Sequence, residues 1–165
     1  MIQFSIYNKD TRCFLDTVDA KIDCKGRLYL DNPAEDLVRY EVVEHTGLFY
    51  TKDVRPIKDK DLVFTYSDIP GNEDRLLLGV VKYYDGAWHI ENDVVRESIP
   101  LFDEISHICY LGSTLTNPNI IEDIMSNVEI LKTLCDVALV PDYYVNKFIG
   151  QQYVDIADNS ILIER

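Results

Sequence analysis

The sequence predicts a mainly β protein, α+β overall, with a β-rich body followed by a C-terminal helical appendage. Three observations predict it. Up to residue 117, apolar residues alternate or run in short blocks rich in β-branched and aromatic side chains, as strands do. Glycine, Asn-Pro, Pro-Gly-Asn and Asp-Gly turn signals separate those blocks. Beyond residue 117 the apolar spacing becomes helical. The expected division is a β-rich domain over 1–117 and a helical extension over 118–165, packed on it or linked to it.

"MIQFSIYN" alternates and opens as a strand. "RCFLDTVDAKIDCKGRLYLD" predicts two short strands around Lys25-Gly26, where glycine supplies the positive φ of a tight turn. "DNPAED" (Asp31 to Asp36) is turn chemistry, and "LVRYEVVEHTGL" predicts a strand ending at Gly47. "DLVFTYSD" (Asp61 to Asp68) is another strand, and "IPGNED" is the clearest loop. "RLLLGVVKYYDGAWHIEN" predicts a strand pair turning at Asp85-Gly86, with Gly79 marking a bulge or bend. "RESIPLFDEI" predicts a short turn and "SHICYLGST" a further strand.

Ile120, Ile121, Ile124, Met125, Val128, Leu131, Leu134, Cys135 and Ala138 follow one helical stripe. Asn117 is the expected N-cap, with Pro118 at the first helical position. Glu122 and Asp123 favour the positive end of that helix, and Pro141 ends it. "PDYYVNKFIGQQ" reads as a second short helix, and "YVDIADNSILIER" as terminal strands or an extended tail.

The stretch "HTGLFYTKDVRPIKDKDLV" resembles the "YTGLKDKNGKEIYEGDIV"-like segment of the YopX family of phage and prophage proteins. Thr46, Gly47 and Leu48 match its TGL, Ile57 its apolar position, and Asp61, Leu62 and Val63 its DIV. "IQFSIYNKDTRCFLD" is similar to the family's opening through Ile2, Phe4, Lys9 and Thr11. "LGVVKYYDGAWHI" is similar to its Asp-Gly hairpin through Gly79, Val80, Asp85, Gly86 and Trp88. "HICYLGSTLTNPNII" resembles a fourth segment through Ile108, Gly112, Asn117 and Pro118. The four occur in the family's order and span roughly residues 1–123. Lys60 replaces the glycine of the family's GDIV, Asp53-Val54 stands near its Asn-Gly turn, and Ser113 replaces an asparagine. The resemblance implies a mostly β fold with a small barrel-like sheet and a phage or prophage origin. It implies no catalytic residues, because the family has no established enzymatic activity.

The 165 residues suffice for one domain with a core, or one domain plus an appendage. Apolar residues make up 47% and charged residues 27%, which excludes a disordered chain. No apolar run approaches the roughly 18–20 residues that span a bilayer, and "MIQFSIYNKD" lacks the pattern of a secretory signal. The expectation is a soluble protein of the bacterial host cytoplasm. Twenty-nine acids against 16 bases give a net charge of −13, and no Lys or Arg occurs from Glu97 through Leu131. Such a surface repels phosphate backbones and suits a basic partner.

Residue types that carry chemistry are present without the spacing that chemistry requires. Cys13, Cys24, Cys109 and Cys135 form no CxxC pair and read as reduced, largely buried thiols, with a Cys13–Cys24 contact across a hairpin as the alternative. His45, His89 and His107 form no HExxH arrangement, although His89, His107 and Cys109 could meet across a sheet. "GST" at Gly112 to Thr114 is not a nucleophile elbow, and the phosphate-cradling glycine patterns are missing. The expectation is a protein that is not an enzyme, with no catalytic, cofactor-binding or metal residues and no cofactor.

Aromatic residues point elsewhere. Tyr83, Tyr84 and Trp88 share one hairpin, where Trp88 reads as packing. Tyr143, Tyr144 and Phe148 cluster late in the chain and are the candidate partner-binding residues, since Tyr anchors many interfaces. The leading expectation is an accessory protein that binds another protein, a basic one, through an acidic surface. In its sharper form it inhibits a host nucleic-acid-handling or defence system. The alternatives are a nucleic-acid-associated β-barrel module, using Lys52, Arg55, Lys58 and Lys60, and a self-assembling structural protein using the helix at 118–139. Asp53, Asp59 and Asp61 interleave those four bases and cancel most of their field.

Overall fold

A computed structural model describes residues 3–15, 20–22, 28–30, 39–52, 55–102 and 104–163. The chain is mostly β with C-terminal helices, α+β overall. Strands β1 (Phe4–Asn8), β2 (Cys13–Phe14), β5 (Tyr40–Phe49) and β6 (Pro56–Lys58) form a four-stranded antiparallel sheet in the order β2-β1-β5-β6. Strands β7 (Asp61–Tyr66), β8 (Leu77–Tyr84), β9 (Ala87–Asn92), β10 (Glu97–Pro100) and β11 (His107–Ser113) form a five-stranded sheet in the order β10-β9-β8-β7-β11. The body is barrel-like but open, with β10 and β11 as the outer strands of the larger sheet. Strands β3 (Ala20–Ile22) and β4 (Leu28–Leu30) form a separate hairpin whose register, Ile22 opposite Leu28, brackets the expected turn. Lys25, Gly26, Cys24 and the Asp31–Asp36 turn lie outside the described residues.

The sequence "DLVFTY" is buried at every position because β7 is covered on both faces. Leu62, Phe64 and Tyr66 face one way, into a core completed by Leu78, Val80, Cys109 and Leu111 and by the helices. Val63 faces the other way, against Leu77, Val81, Ile90 and Ile108, with Ile57 and Tyr50 from the first sheet. The larger sheet is thus the middle layer. The turn at Asp59-Lys60 stitches the layers together: Asp59 N donates to Glu44 O (2.9 Å), Lys60 N to Val81 O (2.9 Å), and Thr114 N to Lys60 O (3.0 Å). Lys60 has φ +68, so the position occupied by glycine in the YopX-like motif is a left-handed one.

Several elements differ from expectation. β5 does not end at Gly47. That residue has φ +86 and lets the strand bulge, shifting its register against β6 and continuing to Phe49. Gly79 marks neither a bulge nor a bend, since the ladders on both sides of it run without a shift. A Cβ there would lie 2.8 Å from Glu91 O, so the glycine permits a close approach of neighbouring backbone. The bulge in this sheet falls on β11, between Tyr110 and Gly112. Asp85 (φ 51) and Gly86 (φ 79) form the expected two-residue turn. Within the segment read as holding a short turn, Glu97–Pro100 is edge strand β10, which tolerates Pro100 because no further strand among the described residues requires its missing N–H.

The expected single helix is two, α1 (Ile120–Ser126) and α2 (Val128–Val137). Asn127 breaks them: its backbone is extended, and its side chain caps α2 by accepting from Glu129 N at 3.1 Å. Asn119 rather than Asn117 precedes the first turn of α1, because Asn117 closes a local turn by accepting from Asn119 N. Leu139 (φ 57) ends the second helix, and Val140 N reaches back to Cys135 O at 2.9 Å. The terminal segment is neither strand nor extended: one helix, α3, runs Asp142–Ile163. A helix already anchored at Val145 and Phe148 extends at one hydrogen bond per added residue, which outweighs the β-branched residues in its second half. No helix among the described residues is long and apolar enough to cross a membrane.

Candidate functional site: an aromatic cleft beside the third helix

The start of α3 crosses the loop that follows β7. Phe148 is fully buried, meeting Phe64 edge-on at 5.5 Å, and Val145 is buried beside it. Those two side chains fix the helix to the sheet and place its flank bearing Tyr143, Tyr144 and Lys147 beside residues 67–73. Tyr144 is half-buried and stacks on Tyr66 with ring centres 4.3 Å apart, and Tyr66 stacks in turn on His107 at 4.8 Å. Tyr143 is 67% exposed and stands at 81° to the Tyr144 ring, 5.0 Å away. The two rings make a right-angled corner at the end of a three-ring column.

A cleft of about 230 Å³ opens at this corner, between Tyr143, Tyr144 and Lys147 on one side and the loop from Ser67 to Glu73 on the other. Ser67 Oγ accepts from Ile69 N (3.2 Å), Gly71 takes φ +90, and Glu73 Oε1 accepts from Gly71 N (3.3 Å). Hydrogen bonds from its own backbone N–H and from Gly71 N hold the Glu73 carboxyl below the usual range, so it is ionised near neutrality. Asp68 lies 3.2 Å from His107 Nε2 and remains mostly exposed. Burial pushes the Tyr66 hydroxyl up to about 12, so that ring carries no charge near neutrality. The cleft therefore offers two tyrosine rings, two carboxylates and one ammonium, on Lys147.

Of the three residues singled out from the sequence, Tyr143 and Tyr144 line this cleft. Phe148 does not; it belongs to the core, because it faces the sheet one helical turn after Tyr144. Asp68, Glu73, Lys147 and the Tyr66–His107 stack were not legible as parts of one site. They lie up to 81 residues apart and share no motif.

The other sequence candidates separate. His89 and His107 do not meet: β8 and β7 lie between their strands, and the register places His89 beyond the Leu62 end of β7 and His107 opposite Tyr66 at its other end. His89 stacks on Tyr84 instead, and no group of three His, Cys, Asp or Glu among the described residues could hold a metal ion. Cys13 is exposed, whereas Cys109 and Cys135 are buried thiols whose burial raises both, Cys135 to about 12. The four bases of the YopX-like loop do not pool. Lys52 donates to Leu139 O, Arg55 lies 4.8 Å from the Tyr110 ring centre, Lys58 lies 3.8 Å from that of Phe14, and Lys60 pairs with Glu41. Trp88 packs edge-on against Tyr83 at 5.1 Å.

Two polar pairs escaped the sequence reading. His45 Nε2 and Ser5 Oγ are 2.8 Å apart, but the buried Nδ1 of His45 has no hydrogen-bond partner among the described residues. Burial and the nearby Lys58 lower the imidazole's proton affinity, so this neutral ring lacks the orienting acceptor of a nucleophile–base system. Asp61 is 2% exposed and accepts through Oδ2 from Tyr50 Oη at 2.5 Å and Lys58 N at 2.9 Å. Burial raises Asp61 to about 6 and the Tyr50 hydroxyl well above its ordinary value. The pair clasps the β6–β7 turn.

Fold and cleft together define an α+β protein with an open antiparallel body, a helical cover and an aromatic recess where the two join. Its structure is similar to the crystal structure of protein YopX from Bacillus subtilis, with a TM-score of 0.45 and 14% identity, over 70% of this chain and 94% of that one. No family model matches the sequence, and no curated protein does.

Proposed function

We propose that this chain is a phage or prophage accessory protein that acts in the bacterial cytoplasm by binding another protein rather than by catalysis. The observation that carries the reading is the aromatic corner: Tyr143 holds a large ring in solvent above a recess rimmed by Asp68 and Glu73. A tyrosine ring costs little side-chain entropy to immobilise and presents both an apolar face and a hydroxyl, which suits an interface anchor. The net charge of −13 favours a basic partner surface and would speed its approach. A nucleic-acid-handling or defence protein of the host has such a surface, and carboxylates can occupy an Arg-lined groove that otherwise takes phosphates. The phage context rests on the YopX-like segments of residues 1–123.

The test is site-specific photo-cross-linking in bacterial cells, with the cross-linker at Tyr143 and, as a control, at the exposed Tyr83 of the β8–β9 hairpin. One protein is expected to cross-link at Tyr143 alone, and the paired change Asp68→Asn with Glu73→Gln should abolish it. The same products from both positions, or none from Tyr143, would overturn the proposal.

A further inference from the structure

The chemistry of the cleft specifies more than a protein partner. Resting on that reading, we infer that the recess between Tyr143, Tyr144 and the Ser67–Glu73 loop receives one arginine side chain of the partner. Three features converge on this ligand. The two tyrosine rings meet at 81° with centres 5.0 Å apart, so a group entering the corner faces one ring and touches the edge of the other. Aromatic faces attract cations most where water is partly excluded. The opposite wall carries Asp68 and Glu73, and each carboxylate keeps acceptor capacity beyond its bond to His107 or to Gly71 N. The volume of about 230 Å³ is below that of ordinary small-molecule sites and suits a single long side chain.

The balance of charge gives the sign. Two carboxylates face one ammonium, and Lys147 has no ion-pair partner within the cleft, although it is close enough to Glu73 to help keep that carboxyl ionised. Lys147 is therefore an internal competitor for the acidic wall. Guanidinium fits better than ammonium because it is planar: it can lie flat on a tyrosine face and still direct a fork of N–H donors to a carboxylate. An anionic ligand would have to displace this arrangement, with only Lys147 in its favour.

Three short peptides added to the intact protein test the inference: acetyl-Gly-Arg-Gly-amide, its lysine analogue and its citrulline analogue, which keeps the planar shape without the charge. Binding is followed by NMR through the tyrosine ring signals. The arginine peptide should bind, and the citrulline peptide about tenfold more weakly. Tyr143→Ala should weaken arginine binding about tenfold, Lys147→Gln should tighten it, and Tyr83→Ala should leave it unchanged. Equal binding of the arginine and citrulline peptides, no binding of either, or indifference to Tyr143→Ala would overturn it. A partner that cross-links at Tyr143 while the arginine peptide fails to bind would sink this inference and leave the proposed function standing. An arginine peptide that binds when no partner cross-links would do the reverse.

Discussion

Asp61 holds its carboxyl in the interior, and the consequence is a pH dependence that runs opposite to that of a salt-bridged aspartate. Its two donors, Tyr50 Oη and Lys58 N, favour the ionised form, but desolvation outweighs them and raises the group from 3.8 to about 6. The native state therefore holds this proton more tightly than the unfolded chain does. The resulting stabilisation is fully present below pH 3.8 and is lost as pH rises through about 6; its size is about 3 kcal/mol. Asp61→Asn keeps an acceptor oxygen and removes the titration. Urea denaturation of both proteins from pH 4 to pH 8 should show the mutant gaining on the wild type by that order as pH rises. The motif made Asp61 visible in the sequence. Its environment was not visible, because Tyr50, Lys58 and Ser113 reach it through turn geometry and strand pairing.

At the scale of elements, two backbone positions decide the connections. Lys60 sits in left-handed conformation at the junction of the two sheets, where a side chain costs about 1 kcal/mol. Lys60→Gly relieves that strain and loses only the partly exposed pairing with Glu41, which is worth little. It should be more stable than Lys60→Ala by about 1 kcal/mol in chemical denaturation. Asn127 separates α1 from α2, and Asn127→Ala should cost about 1 kcal/mol through the lost cap. A rise in helix content measured by circular dichroism would instead show the two helices fusing. The helical stripe from Ile120 to Ala138 was legible because Ile121, Ile124, Leu131 and Cys135 face one core. The break was not, since an asparagine can interrupt or continue a helix according to what its side chain can reach.

For the whole molecule, the helices and the larger sheet share a single core, in which Phe64 and Phe148 meet. Phe148→Ala should cost about 3–5 kcal/mol. Tyr143→Ala, only five residues away, should change stability by less than about 0.5 kcal/mol. Urea unfolding of the two variants checks the contrast, and it separates the residue that holds α3 in place from the one left free to meet a partner. Similar losses for both would mean that Tyr143 is also part of the fold.

The sequence by itself determined the class of the protein, most of its strands, the Asp85-Gly86 hairpin and the switch from strand to helix near residue 117. Each is written in local periodicity or turn chemistry, and such signals need only a few neighbouring residues. The tertiary structure alone decided that β7 is buried on both faces and that the end of the chain is helical. It also decided that Phe148 belongs to the core while Tyr143 faces solvent. The cleft belongs with these. Tyr66, Asp68, Glu73, His107 and Tyr143 become neighbours only when α3 packs across the loop after β7, and contacts between distant segments leave no periodicity for a sequence to display.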